Sequence, residues 1–293
     1  MVTIAYQNKN KAIWADYLLL TKPKAIIPHL ITAAAAMFLA VKGIPQLNIL
    51  LWTLTGGGLT AGAAHALNCY FDREIDKNMD RTRFRPLPAG RLLPRQALVF
   101  SIFTGITGLV VLSVLVNRTA AFLALIALLY YVCAYTLMLK RHTYWSALIG
   151  SGIGGITPLI GWTAVTNSFS LTPFILSAII ILWTLPHFWS LAIFRQTDYE
   201  HAGIKVLPPR GVRIWIFGSS ILLTGTTLLL AQRADGGPIY LATAAILGTG
   251  IIVLSMILLI RKRPRTARIM YVYSIIYIAC LFTAIIADRV VFR

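Results

Sequence analysis

The sequence predicts an all-α integral membrane protein in which nine transmembrane helices surround a central cavity. Two observations predict it. Hydrophobic residues make up 58% of the chain and charged ones 12%, a balance outside that of soluble domains. A bilayer core of about 30 Å also needs about 20 apolar residues per helix. Nine such stretches, separated by polar breaks, fall at residues 25–42, 47–67, 97–116, 120–139, 146–166, 171–194, 213–231, 238–260 and 270–288.

Residues 1–24 carry Lys9, Lys11, Lys22 and Lys24 around a short mixed segment, Ile13 to Leu18. With no compact apolar run and no small-residue cleavage site, they read as a cytoplasmic interfacial segment rather than a signal peptide, Trp14 and Tyr17 sitting at headgroup depth. Residues 25–293 then form a single transmembrane domain. Cys69, Cys133 and Cys280 are far apart and lack metal-ligand spacing, which points to neither zinc nor a disulfide framework. There is no phosphate-binding or dinucleotide-binding glycine motif.

Charge sets the orientation. If the nine stretches all cross, 22 of the 27 Lys and Arg fall on the side of the N-terminus; only Lys42, Arg118, Arg233, Arg289 and Arg293 fall on the other. The positive-inside rule places the N-terminus in the cytoplasm and the C-terminus outside the cell's inner membrane. That bias accounts for the net charge of +18 without a nucleic-acid partner.

Six of the nine acidic residues lie in two cytoplasmic segments, Asp72, Glu74, Asp76 and Asp80 after the second stretch and Asp198 and Glu200 after the sixth. Asn68, Asp72, Asp76 and Asp80 recur every four residues and so share one face of a helix prolonged into the cytoplasm. Like charges at that spacing repel, so the stripe calls for a cation. Mg²⁺ is the natural one, since it is held by one or two carboxylates together with phosphates and water. The alternative is a solvated loop balanced by Arg73 and Lys77. Arg81, Arg83, Arg85 and Arg91 follow at once, and arginines beside carboxylates suit a metal-bound diphosphate. The second segment repeats the placement four helices later, as in a bundle of two similar halves plus a ninth helix.

The run Asn68-x-x-x-Asp72-Arg73-x-Ile75-Asp76-x-x-Met79-x-Arg81-Thr82-x-x-Arg85-Pro86-Leu87 resembles the signature of the protohaem IX farnesyltransferases, a branch of the UbiA-type intramembrane prenyltransferases. Lys22-Pro23, Leu139-Lys140-Arg141-x-Thr143, Pro186-His187-Phe188-Trp189 and Asp198-Tyr199-x-x-Ala202-Gly203-Ile204 are similar to that family too. Ser146 departs from it, standing where Asn is expected, and Asp198 with Glu200 replaces a fuller aspartate pair.

The resemblance implies catalysis by Asn68, Asp72, Asp76 and Asp198, with Mg²⁺ on Asp72, Asp76 and Asp198. It implies substrate binding by Lys22, Arg73, Arg81, Arg85, Lys140, Arg141 and Tyr199, and by His29, His65 and His187 in the inner half of the bundle. The substrates it implies are farnesyl diphosphate and haem b, giving haem O and diphosphate, with a haem A synthase as possible downstream partner. A quinone precursor or chlorophyllide is the rival acceptor. A cation transporter is the rival of another class, and it lacks acidic residues in the predicted membrane cores. Tyr130, Tyr131 and Tyr135 read as aromatic packing, the alternative being ring faces that stabilise an allylic cation.

Overall fold

A computed structural model of the chain describes residues 14–80, 82–139, 143–201, 206–208, 210–233 and 236–292, the side chain of Ala147 excepted. Arg81, Lys140 and Arg141 lie outside the described residues, as do residues 1–13 and Ala202-Gly203-Ile204. Helix α1 spans residues 14–21. It is followed by α2 (Pro23–Ala40), α3 (Leu47–Lys77), α4 (Pro94–Leu115), α5 (Arg118–Leu129), α6 (Ser146–Thr166), α7 (Leu171–Phe194), α8 (Gln196–His201), α9 (Val212–Arg233), α10 (Pro238–Arg261) and α11 (Pro264–Val291). No strand occurs among the described residues.

Local chemistry sets the helix ends. Proline begins α2, α4, α10 and α11, where its missing N–H has no intrahelical acceptor to lose. Asn117 caps α5, its side chain accepting from the Ala120 N–H, and its amide donates to the Thr163 carbonyl of α6 at 2.8 Å. Asn167 and Lys262 close α6 and α10 in the left-handed region, with φ of 49° and 51°. Helix α5 runs without a break into a π-helical segment, Tyr130–Leu139, where the Thr136 hydroxyl donates to the Tyr131 carbonyl at 2.8 Å.

Among the described residues, eight helices are long and apolar enough to cross a bilayer, the π-segment counting with α5. The ninth long helix, α3, has 31 residues, and the Gly, Thr and Ala of its middle make it more polar. Large apolar side chains face outward, Phe103 being 71%, Val114 73% and Ile246 70% exposed. Surfaces of this kind are a liability in water and a requirement in lipid; the chain is a multi-pass membrane protein. The nine predicted stretches each coincide with one of the nine long helices.

Helix α2 packs on α3, α6 and α11; α6 packs on α7, and α7 on α9 and α11. The larger core lies in the second half, where Trp189, Tyr277 and Phe282 are buried with Ile179 and Leu223. Its tyrosine hydroxyls are paired, as lipid favours: Tyr277 and Thr227 hydroxyls stand 2.9 Å apart, and the Tyr240 hydroxyl donates to the Thr227 carbonyl at 2.9 Å, whereas Trp189 Nε1 is buried without a hydrogen-bond partner. Asp288, near the end of α11, is 4% exposed. Its carboxylate accepts from the Ile239 and Tyr240 N–H groups at 3.0 and 2.7 Å, offsetting the positive end of α10.

One expectation for the N-terminal segment is corrected. Asp16, read as lying on the surface, is 6% exposed and meets the Arg91 guanidinium, whose Nε donates to both its oxygens at 3.0 Å. Arg91 is therefore engaged in holding α1 to the loop after α3. Leu20, buried with Ala66, Cys69 and Leu92, supplies the apolar part of that contact, while Trp14, Leu18 and Leu19 remain exposed.

At Gly161 the backbone of α6 approaches the Ala33 carbonyl of α2 so closely that a Cβ would collide with it, whereas a Cβ at Gly218 meets nothing within 4 Å. Gly161→Ala should therefore cost about 1–3 kcal/mol by overpacking and lower the melting temperature in detergent. Gly218→Ala should leave it unchanged or raise it slightly.

Candidate active site

Helix α3 carries the stripe, and burial grades along it. Asn68, Asp72 and Asp76 are 4%, 1% and 3% exposed, whereas Asp80, beyond the end of the helix, has a side chain 73% exposed. Buried carboxylates need hydrogen bonds and opposite charge. The Asn68 amide donates to Asp72 Oδ2 at 2.7 Å and to the Thr136 hydroxyl at 3.2 Å, while its oxygen accepts from Lys22 Nζ at 2.7 Å. The Arg85 guanidinium donates to Asp76 Oδ2 at 2.7 Å, and the Thr82 hydroxyl holds the Asp76 carbonyl at 2.9 Å. Lys22 itself has φ 52°, an uncommon conformation for a side-chain-bearing residue, at the bend between α1 and α2.

Lys22 and Arg85 are also wall residues of a cavity of ≈ 890 Å³ whose other borders include His29, Tyr131, Tyr135 and His187. Ligand sites commonly measure about 300–1,000 Å³. A smaller apolar chamber of ≈ 110 Å³, lined by Gly57, Ala61, Ala64, Leu128 and Ile160, shares His29, Ile153 and Tyr131 with it. Tyr131 and Tyr135 stack at 5.6 Å between ring centres, and the Tyr131 hydroxyl lies 3.2 Å from His65 Nδ1. The large cavity thus presents cations backed by carboxylates at one end, and it adjoins an apolar recess along an aromatic border.

The second acidic segment meets the first. Tyr199 of α8 is buried with Met79, Ala192 and Val206, and Tyr135 is within electrostatic reach of both Asp72 and Tyr199. Asp198 Oδ2 is buried and accepts no hydrogen bond, with Arg195 3.8 Å away; Glu200 faces outward and pairs with Gln196 at 2.7 Å. Among the described residues no three His, Cys, Asp or Glu side chains form a group that could hold a metal ion. Asp72 and Asp76 nonetheless suit Mg²⁺ by their chemistry, because it is held by one or two carboxylates together with phosphates and water.

Residues 29–283 match the UbiA prenyltransferase family. The chain belongs to that family. It is 42% identical to a protein named protoheme IX farnesyltransferase of Symbiobacterium thermophilum, over 93% of each chain. It is 40% identical to one so named of Chloroflexus aurantiacus, covering 96% of this chain and 49% of the relative; the chain thus spans about half the length of that relative. Its fold resembles that of a UbiA homolog from Archaeoglobus fulgidus solved bound to DMAPP and Mg²⁺, with a TM-score of 0.62, 15% identity, and 93% and 99% of the two chains covered.

In this UbiA family member the structure sorts the residues that the sequence singled out. Lys22, Asn68 and Asp72 form one hydrogen-bonded set and Arg85 with Asp76 a second, both on the same helix α3, and His29 and His187 border the cavity that Lys22 and Arg85 line. His65 borders the smaller chamber, within electrostatic reach of Lys22, His29 and Arg85. Arg73 is not gathered with them: it donates to the Tyr70 carbonyl at 2.8 Å and lies over the Tyr70 ring. Arg83 pairs with exposed Asp80 at 3.3 Å. Glu74, fully exposed, has its pKa lowered by the hydrogen bond from Lys77. Sequence reading passed over Thr136, Trp183, Tyr271 and Ser274. The last three surround His187: Trp183 lies one turn before it on α7, whereas only the pairing of α7 with α11 brings Tyr271 and Ser274 there.

The two arginine pairs differ in burial, and stability should follow. Arg85→Ala strands Asp76 and should cost about 3 kcal/mol, in the range for breaking a buried pair, whereas Arg83→Ala should cost about 0–1 kcal/mol. Thermal unfolding in detergent separates the two.

Proposed function

We propose that this prenyltransferase transfers a farnesyl group from farnesyl diphosphate to a vinyl group of haem b. Water adds to the cation that results, so haem b, farnesyl diphosphate and water give haem O and diphosphate. The observation that carries this reading is the pair of cavity-wall cations, Lys22 and Arg85, backed by Asn68, Asp72 and Asp76 next to an apolar recess. The names of its relatives, which share about two residues in five, supply the acceptor.

Ionisation of the allylic diphosphate is the difficult step. Negative charge grows on the departing group, and donors already fixed around it favour the transition state over the ground state. Lys22 and Arg85 donate to Asn68 and Asp76. In this reading they turn to the diphosphate oxygens, and the carboxylates become available as ligands. Asp72, Asp76 and Asp198 would hold Mg²⁺, which supplies charge neutralisation for the diphosphate. The rings of Tyr131 and Tyr135 border the path between diphosphate and recess, where their faces stabilise the allylic cation. A largely apolar cavity wall keeps bulk water from that cation until the vinyl carbon has attacked.

Orientation follows from the basic loops: N-terminus and acidic segments in the cytoplasm, C-terminus outside, in the inner membrane of a cell, as one transmembrane domain preceded by an interfacial segment. Haem O would then pass to a haem A synthase.

The assay combines purified protein, farnesyl diphosphate, haem and Mg²⁺, with products identified by mass. Haem O is expected. Asp72→Asn and Asp76→Asn should each lower turnover by about 10²-fold or more, the scale of a lost electrostatic contact, with Asp80→Asn milder. Prenylation of 4-hydroxybenzoate or a chlorin in place of haem would overturn the acceptor. Retention of more than about a tenth of the rate in both Asn variants would overturn the diphosphate site.

A further inference from the structure

Three histidines border the cavities, and their ring surroundings differ. His29 Nδ1 lies 3.4 Å from the Thr157 hydroxyl and His65 Nδ1 3.2 Å from that of Tyr131, both long contacts. His187 is held more closely, its Nδ1 2.9 Å from Ser274 Oγ. Its ring stacks on Trp183 with centres 4.5 Å apart and planes 21° from parallel, and Tyr271 stands 4.9 Å off. Trp183 Nε1 in turn donates to the Ser274 carbonyl at 2.6 Å. Two successive turns of α7 are thereby tied to one residue of α11, and Ser274 is fully buried.

The hydrogen bonds fix more than the ring plane. A serine hydroxyl has one proton, and that of Ser274 is donated to the Tyr271 carbonyl at 2.6 Å. With its proton placed there, the serine oxygen is left to accept from His187 Nδ1–H at 2.9 Å, the tautomer in which Nε2 of the neutral ring keeps its lone pair. No described residue hydrogen-bonds Nε2. With the Nδ1 edge turned to α11 and one face covered by Trp183, the edge bearing Nε2 is the one left to the large cavity that His187 lines. A histidine whose other nitrogen donates to a fixed oxygen is the usual arrangement for a metal ligand.

We propose that His187 Nε2 ligates the iron of the haem acceptor and that Ser274 is a positioning residue that sets its tautomer. This rests on haem being the acceptor. His187 would anchor the macrocycle at the aromatic end of the cavity, with Trp183 and Tyr271 flanking the ligand, and leave the vinyl edge to approach the end bearing Lys22 and Arg85. Neither His29 nor His65 has an oxygen left to accept its ring proton at so short a distance.

The test titrates full-length purified protein, wild type and variants, with haem and with metal-free protoporphyrin IX. It reads affinity and, for haem, the Soret and ligand-field bands. Wild type should bind both and show histidine ligation to iron. His187→Gly should lose that signature and bind haem more weakly, bind metal-free porphyrin unchanged, and recover the spectrum when imidazole is added. Ser274→Ala should weaken haem binding about tenfold, the lower end for loss of a partner behind a metal ligand, again with metal-free porphyrin unaffected. His29→Ala and His65→Ala should keep the wild-type spectrum. An unaltered haem spectrum in His187→Gly would overturn the inference while leaving the farnesyl transfer reading intact. Equal loss of both porphyrins would also overturn it, since the role would then be packing. Failure of wild type to bind haem at all would instead remove the reading on which the inference rests.

Discussion

Carboxylates buried in a lipid-embedded bundle must be met by cations, and the organisation of this protein's cytoplasmic end follows from that requirement. Asp72 and Asp76 lie one turn apart on the same helix, each 3% exposed or less, where their mutual repulsion is poorly screened. Lys22 reaches Asn68 and through it Asp72, and Arg85 reaches Asp76. Both cations come from non-helical backbone, Lys22 from the bend between α1 and α2 and Arg85 from the turns after α3. The ion pair between Asp16 and Arg91 then fastens α1 to those same turns. The surface elements around the cavity mouth are thus arranged by the charges that the mouth contains.

Under the proposed function that balance also prepares the site, since the cations that meet the carboxylates are the kind that suit a diphosphate. Pairs of this kind contribute little net stability, because desolvation offsets most of the attraction, so exchanging carboxylate for phosphate around Lys22 and Arg85 is energetically accessible. The apolar recess and the stacked Tyr131 and Tyr135 lie beside this exchange. Elsewhere on the same cavity wall the His187 ring is held between the Trp183 ring and the Ser274 hydroxyl.

The spans were legible in the sequence because apolar runs of bilayer length leave a strong signal, and the Asn68 to Asp80 stripe because a period of four marks a helix face. The exposed position of Asp80 at the far end of the stripe was legible too, whereas the near-complete burial of Asn68, Asp72 and Asp76 depends on packing that spacing does not show. Arg83, Arg85 and Arg91 look equivalent in sequence, yet they sit in non-helical turns whose backbone decides which one faces the cavity. Asp16 was misplaced because its partner lies 75 residues away. Nothing in the composition of Tyr130 to Leu139 betrays the π-helical winding. Nor could spacing show that Ser274 meets His187, since that contact depends on how α7 and α11 pack. The resemblance to haem farnesyltransferases supplied Lys22, whose role local pattern did not disclose.

The central claim, that the carboxylates behind Lys22 and Arg85 form a metal-dependent diphosphate site, is tested most directly by calorimetric binding of a non-ionisable farnesyl diphosphate analogue with and without Mg²⁺. The account predicts that Mg²⁺ tightens binding to the wild-type protein and that Asp76→Asn abolishes the difference while the analogue still binds weakly through Lys22 and Arg85. Binding that is equally tight without Mg²⁺, or a metal effect that survives in Asp76→Asn, would contradict it.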